Sequence, residues 1–157
     1  GKLSKKDIFC NIEVKFNGKS AKMKALIDTG NLLKDPLSKM SVIVVEAEKI
    51  EEIIPKEIIK KITLILGGGK DENLEEEYIS KFRIIPFSSL GNQNGLLLGF
   101  IADNVIISSD EYEKNIPKVI GIYENSLTKN KLYSALVGID VIERNDDKNE
   151  FFAVTKK

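Results

Sequence analysis

The sequence predicts a mostly β protein with one or two short helices, folded as a single domain over residues 1–157. Three observations predict it. Apolar and polar residues alternate over residues 8–16, an Asn17-Gly18 turn follows, and further apolar or β-branched runs recur at 41–45, 82–87, 95–100 and 104–108 between turn formers. With 42% hydrophobic and 31% charged residues in 157, the chain is able to bury a core, and disordered or low-complexity classes are excluded.

Each element follows from local pattern. Ile8, Cys10, Ile12, Val14 and Phe16 mark one strand, and apolar character resumes from Met23 to Ile27, so the chain opens with a β-hairpin. Asp28-Thr29-Gly30-Asn31 ends its second strand. Asp35-Pro36-Leu37-Ser38 makes another turn before the run from Ser41 to Val45. Ile50, Ile53, Ile54, Ile58, Ile59 and Ile62 lie close to helical spacing, and Pro55 divides residues 47–62 into two short helices. Gly67-Gly68-Gly69 and the acidic residues after it read as a surface loop. A phosphate-binding loop needs Ser or Thr after its lysine, and here Asp71 follows Lys70. Residues 82–87 and 95–100 form a second hairpin around a mobile tip, Gly91-Asn92-Gln93-Asn94-Gly95. Asn104 to Ser108 is another strand, residues 111–131 fit no single pattern, and the run from Tyr133 to Ile142 contains Ala135-Leu136-Val137-Gly138-Ile139-Asp140. In the charged tail, Phe151 and Phe152 suggest one more strand. No repeat or long linker divides the chain.

Composition narrows the chemistry. Lys plus Arg (24) equals Asp plus Glu (24), so no global field draws the protein to nucleic acid. The single cysteine, Cys10, forbids an internal disulfide and a multi-cysteine zinc site, and the absence of histidine removes Ser-His and Cys-His pairs. Carboxylates, hydroxyls, lysines and backbone remain, and neither metal nor cofactor is expected. No run approaches the roughly 20 apolar residues that span a bilayer, and no signal peptide opens the chain, which reads as soluble and cytoplasmic. A start at Gly1 with Lys2, Lys5 and Lys6 suits either a fragment from a cytoplasmic juxtamembrane position or a plain solubilising terminus.

The sharpest feature is Ala25-Leu26-Ile27-Asp28-Thr29-Gly30, an apolar strand that runs into a carboxylate, a hydroxyl and a glycine. The strand fixes the loop, Asp28 supplies an acid or base, Thr29 holds backbone, and Gly30 admits a neighbouring backbone. Taken from these residues alone, a simple turn closing a hairpin serves as well. Asp140 lacks a following Thr-Gly and reads as a capping or turn residue. Ser88 and Ser89 are either substrate-touching or ordinary turn residues, and Cys10 shows no sign of activation.

This stretch resembles the retropepsin-like aspartic proteases, in which a hairpin precedes an apolar-apolar-Asp-Thr-Gly loop. Leu136-Val137-Gly138 resembles the family's second mark, two apolar residues before a glycine packed beside the catalytic loop. Leu97-Leu98-Gly99 is a competing match. The segment from Ser88, Ser89 and Gly91 to Gly95 is similar in position to the family's flap, the hairpin that closes over substrate. A closer resemblance, over roughly residues 8–142, is to the sporulation sigma-E factor processing peptidases of spore-forming bacteria. It rests on Asp28-Thr29-Gly30-Asn31-Leu32, Asp35-Pro36, Ile85-Pro86-Phe87 and Leu98-Gly99-Phe100.

The resemblance implies a retropepsin-like half-barrel that acts as a homodimer. An aspartic protease needs two neighbouring aspartates, one ionised and one protonated, and this chain has one Asp-Thr-Gly, so the second Asp28 is expected from a second copy across a two-fold axis. Thr29 would hydrogen-bond across that axis and Gly30 would let the two loops approach. The implied substrate is a sigma-factor precursor that loses an N-terminal pro-segment, with a signalling protein from the forespore as activator. The implied location is the cytoplasmic face of the cell membrane, through an N-terminal region outside this chain. Residues 1–24 hold seven lysines against two acids, which suits anionic headgroups. Two alternatives stay open: a non-catalytic β-rich regulatory module that binds a partner by strand addition, and a retropepsin-like protease of another pathway.

Overall fold

Asn17 and Gly18 have φ of 53° and 83°, the left-handed pair that a two-residue hairpin turn requires, and they join β1 (Phe9–Phe16) to β2 (Lys19–Asp28). The computed structural model describes residues 8–30, 33–70, 73–88, 94–110, 113–116 and 118–142. The hairpin register runs from Phe9 opposite Leu26 to Phe16 opposite Lys19, which turns Cys10, Ile12, Val14 and Phe16 to the same buried face as Ala21, Met23, Ala25 and Ile27.

The chain continues through β3 (Val42–Glu46), α1 (Ala47–Ile50), α2 (Lys56–Leu66), α3 (Glu76–Ile79), β4 (Phe82–Ser88), β5 (Asn94–Ile101), β6 (Asn104–Ser108), β7 (Glu113–Asn115), β8 (Val119–Tyr123) and β9 (Ala135–Gly138). The strands form one nine-stranded sheet in the order β4-β5-β8-β3-β9-β2-β1-β6-β7. Two pairs are parallel, β2 with β9 and β3 with β8, and the others are antiparallel. After β9 the chain turns into helix at residues 139–142.

Two cores lie on the sheet. The larger gathers the inward face of β1 and β2 with Ile50, Ile53, Ile54 and Ile62, and Pro55 starts α2 where its missing N–H costs nothing. The Phe16 ring meets Phe100, Tyr78 and Phe82 at centroid distances of 5.0, 5.8 and 6.0 Å. The smaller core joins Val42, Ile85, Leu97 and Val119, with Leu33, Phe87 and Tyr123 packed against it. Because β3 and β8 touch both cores, they are buried on both faces and read as continuous apolar runs.

The structure departs from expectation in three places. The two helices expected within residues 47–62 are α1 and α2, although α2 runs on to Leu66, and two helical segments were not expected: residues 139–142, and α3, which forms within the expected acidic loop, where Tyr78 packs on Phe16 and Phe82. Residues 113–115 and 119–123, which fit no pattern, are strands, and β8 is central to the sheet. The tail strand suggested by Phe151 and Phe152 and the tip of the second hairpin lie outside the described residues. Among the described residues no helix is long and apolar enough to cross a membrane.

Phe16 is fully buried and central to the aromatic cluster. Phe16→Ala is expected to remove about 3–5 kcal/mol of unfolding free energy, read from urea midpoints at unchanged slope.

Candidate active site

The apolar alternation of β2 stops at Asp28, where Thr29 and Gly30 form a turn. The Gly30 amide donates to Asp28 Oδ1 at 2.9 Å, a local Asx-type contact that orients the carboxylate, and Gly30 is the carboxylate's only hydrogen-bond partner among the described residues. Asp28 is half-buried, while Thr29 and Gly30 are exposed. Among the described residues nothing demands glycine at position 30: its φ is not left-handed, and a Cβ there would meet only Asp28 Oδ1 at 3.5 Å, an ordinary contact.

β9 lies parallel to β2 with Leu26 opposite Leu136, Ile27 opposite Val137 and Asp28 opposite Gly138. Leu136-Val137-Gly138 is therefore the segment beside the Asp28 loop. The competing Leu97-Leu98-Gly99 lies in β5, separated from β2 by β8, β3 and β9. Gly99 has a packing reason of its own, since a Cβ there would come within 2.3 Å of Ile85 Cδ1 and 3.0 Å of the Ile120 carbonyl oxygen.

The loop after Asp28 is held by two charged clusters that start from adjacent residues. Lys34 Nζ donates to Ser41 Oγ at 2.7 Å and to Asp140 Oδ2 at 3.0 Å, and Ser41 Oγ donates to the same Oδ2 at 2.8 Å. Asp140 is thereby tied to the loop, two residues beyond Gly138. Burial pushes the Asp140 carboxyl up, but the hydrogen bonds from Ser41 and Lys34 and the lysine charge outweigh it and hold the group below its ordinary value.

Asp35 is fully buried. Its Oδ2 accepts from Ser38 Oγ at 2.6 Å, the Ser38 amide at 3.1 Å and Arg83 Nη1 at 2.9 Å, while Oδ1 accepts from the Leu37 amide at 3.4 Å. Burial raises this carboxyl too, and the Ser38 and Leu37 hydrogen bonds with the Arg83 charge lower it further than burial lifts it. Arg83 comes from β4, so one ion pair joins the loop after Asp28 to the second hairpin.

In that hairpin, β4 and β5 pair from Phe82 opposite Phe100 to Ser88 opposite Asn94. Ser88 is the last residue of β4, and Ser89 and Gly91 lie outside the described residues. Gly95 faces Phe87 so closely that a Cβ would sit 2.4 Å from the ring. Cys10 is buried on β1, and burial pushes its thiol up to about 12, far from a reactive state.

Pattern reading singles out Asp28, Thr29 and Gly30 as site candidates and takes Asp35 and Asp140 for turn or capping residues. It misses Lys34, Ser41 and Arg83. A signal for Arg83 exists: only two of the 24 basic residues are arginine, and this one interrupts the apolar run Phe82-Arg83-Ile84-Ile85, where a buried guanidinium is better suited than an ammonium.

A family model described as the peptidase U4 family, sporulation factor SpoIIGA, matches residues 1–141. The chain is 33% identical over 132 residues to the sporulation sigma-E factor-processing peptidase of Priestia megaterium, covering 83% of this chain and 43% of that relative. It is 28% identical over 130 residues to the protein of the same description in Bacillus subtilis, covering 81% and 42%. A putative sporulation sigma factor-processing peptidase of Bacillus thuringiensis subsp. kurstaki is 24% identical over 132 residues, covering 83% and 82%. The chain thus spans less than half the length of the first two relatives. No solved structure matches it.

Both Asp35 and Asp140 are held below the ordinary carboxylate value of 3.8 in the folded chain. Their stabilising contribution is then complete above that value and lost as pH falls below it through the folded-state values. The urea midpoint is expected to stay flat above about pH 5 and to decline below about pH 4, and Asp35→Asn should flatten part of that decline.

Proposed function

The chain belongs to the sporulation factor SpoIIGA peptidase family, and from that premise we propose that it is the catalytic domain of an aspartic endopeptidase. The two acids are Asp28 of each of two copies, brought together across a two-fold axis in a retropepsin-like homodimer. One carboxylate takes a proton from water, which attacks the scissile carbonyl carbon. The other, protonated, donates to the carbonyl oxygen, and collapse of the tetrahedral intermediate breaks the C–N bond as the first carboxyl passes the proton it took from water to the departing nitrogen and the second recovers a proton from a hydroxyl of the intermediate. A dyad shares one proton because like charges about 3 Å apart do not both ionise.

The observation that carries this reading is the combination at the end of β2: an oriented, half-buried carboxylate in register with Gly138, followed by Thr29 and Gly30, for whose identities the described residues show no structural demand. A hydroxyl with no acceptor among the described residues and an exposed glycine whose Cβ would meet only Asp28 Oδ1 among them both suit close approach of a second loop. The β4–β5 hairpin then serves as the flap, with Ser88, Ser89 and Gly91 as the residues proposed to touch substrate. The substrate is a sporulation sigma-factor precursor, in keeping with the descriptions of the relatives. The full protein works at the cytoplasmic face of the membrane, under control of a forespore signalling protein.

Two outcomes follow. Produced in membrane-tethered form together with a sigma-factor precursor, the wild-type chain is expected to yield the shortened product, and Asp28→Asn to reduce that yield by on the order of 10⁴-fold, since an amide cannot act as the base. A blot for the product reads this, and undiminished cleavage by Asp28→Asn contradicts it. Gly30→Ala is expected to leave the stability of the isolated chain within about 0.5 kcal/mol while cutting cleavage sharply; equal loss of stability and cleavage would place the need for glycine inside the monomer.

A further inference from the structure

We infer that Arg83 and Asp35 are positioning residues for the reaction at Asp28, fixing the β4–β5 hairpin to the loop that leaves the acid. The inference rests on the protease reading above and extends it to residues that do not touch the scissile bond.

The first support is energetic. A carboxylate with no exposed surface, paired to a guanidinium whose side chain is 13% exposed, is an expensive construction for stability alone, because desolvation of both ions offsets most of their attraction. Arg83 Nε adds to that cost, since it is buried with no acceptor among the described residues. What such a pair does supply is a single geometry. Three donors from its own turn, the Leu37 and Ser38 amides and Ser38 Oγ, fix the Asp35 carboxylate in the loop, and the fourth, Arg83 Nη1, ties that fixed carboxylate to β4, a directional contact where an apolar one would admit several placements.

The second support is location. Arg83 is in register with Gly99 on β5, and Gly99 with Gly121 on β8, so the two residues next in line from the arginine across the sheet have no side chains. The neighbouring residue in the loop, Lys34, reaches in the other direction to Asp140, just past the Gly138 that faces Asp28. Through Lys34 and Asp35 the loop therefore grips both the segment beside the acid and the base of the substrate-covering hairpin. Displacement of one relative to the other by about 1 Å is enough to lower turnover by roughly 100-fold in a site that depends on orientation.

The test uses the membrane-tethered chain with purified sigma-factor precursor as substrate, and compares wild type, Asp28→Asn, Asp35→Asn, Arg83→Lys and the Asp35→Asn/Arg83→Lys double variant. Arg83→Lys keeps the charge and loses the planar fork. Expected are a kcat lowered by about 10- to 100-fold in each single variant, KM within about threefold of wild type, and a double variant no slower than the slower single, because the two residues act as one unit. Melting temperatures are read in parallel, and the near-isosteric Asp35→Asn carries the test should Arg83→Lys not fold. Unchanged kcat in a folded variant overturns the inference. So does a change in KM alone, which would make Arg83 a substrate contact, or a loss of rate matching the loss of folded protein. Full activity in Asp28→Asn, or none in wild type, overturns the protease reading, and the positioning inference with it. Inactive Asp28→Asn beside fully active Arg83→Lys overturns the positioning inference alone.

Discussion

The parallel pairing of β2 with β9 is the constraint on which the rest depends. It lets the strand that carries Asp28 end against a glycine, Gly138, rather than against a side chain. A parallel pair needs a long crossover, and the chain between the two strands supplies β3 to β8, including the β4–β5 hairpin. β9 also pairs antiparallel with β3, so the Asp28 strand is joined through β9 to the doubly buried centre of the sheet. The acid thus sits at the end of a rigid element while its loop stays exposed, an arrangement that fixes a carboxylate and leaves its outer side open to a partner.

Charge is used differently at the surface and near the site. The exposed Lys131–Glu48 pair lies in water, where such contacts contribute little. The two clusters from Lys34 and Asp35 are partly or fully withdrawn from water and satisfy hydroxyls and amides as well as charges. They connect segments remote in sequence, 106 residues apart for Lys34 and Asp140 and 48 for Asp35 and Arg83, so they define tertiary placement rather than local shape. Family membership and this placement together favour a peptidase over a strand-adding regulatory module, which has no use for an oriented carboxylate in register with a glycine.

Much of the frame is legible in the sequence because its causes are local. Alternation and Asn17-Gly18 predict the first hairpin, and Pro55 predicts the break between α1 and α2. β8 is not legible in that way: buried on both faces, Val119–Tyr123 lacks alternation, and Gly121 within it is explained only by Val42 and Leu97 packing 3.0 and 3.1 Å from where its Cβ would be. α3 is four residues long, and what stabilises it is the packing of Tyr78 on distant rings. At the site, Asp28-Thr29-Gly30 stands out by itself, whereas the choice between Leu136-Val137-Gly138 and Leu97-Leu98-Gly99 needs strand order. The partners of Asp35 and Asp140 are invisible in a linear reading, since nothing in spacing couples a turn aspartate to an arginine two strands later.

In the proposed enzyme a single active site needs an Asp28 from each of two chains. The direct measurement is cleavage of the sigma-factor precursor by mixtures of wild-type and Asp28→Asn chains at constant total amount. If dimers form at random and both acids are required, activity follows the square of the wild-type fraction and falls to about one quarter in an equal mixture. A linear decline to about one half would mean that one chain carries a complete site, and would contradict the account.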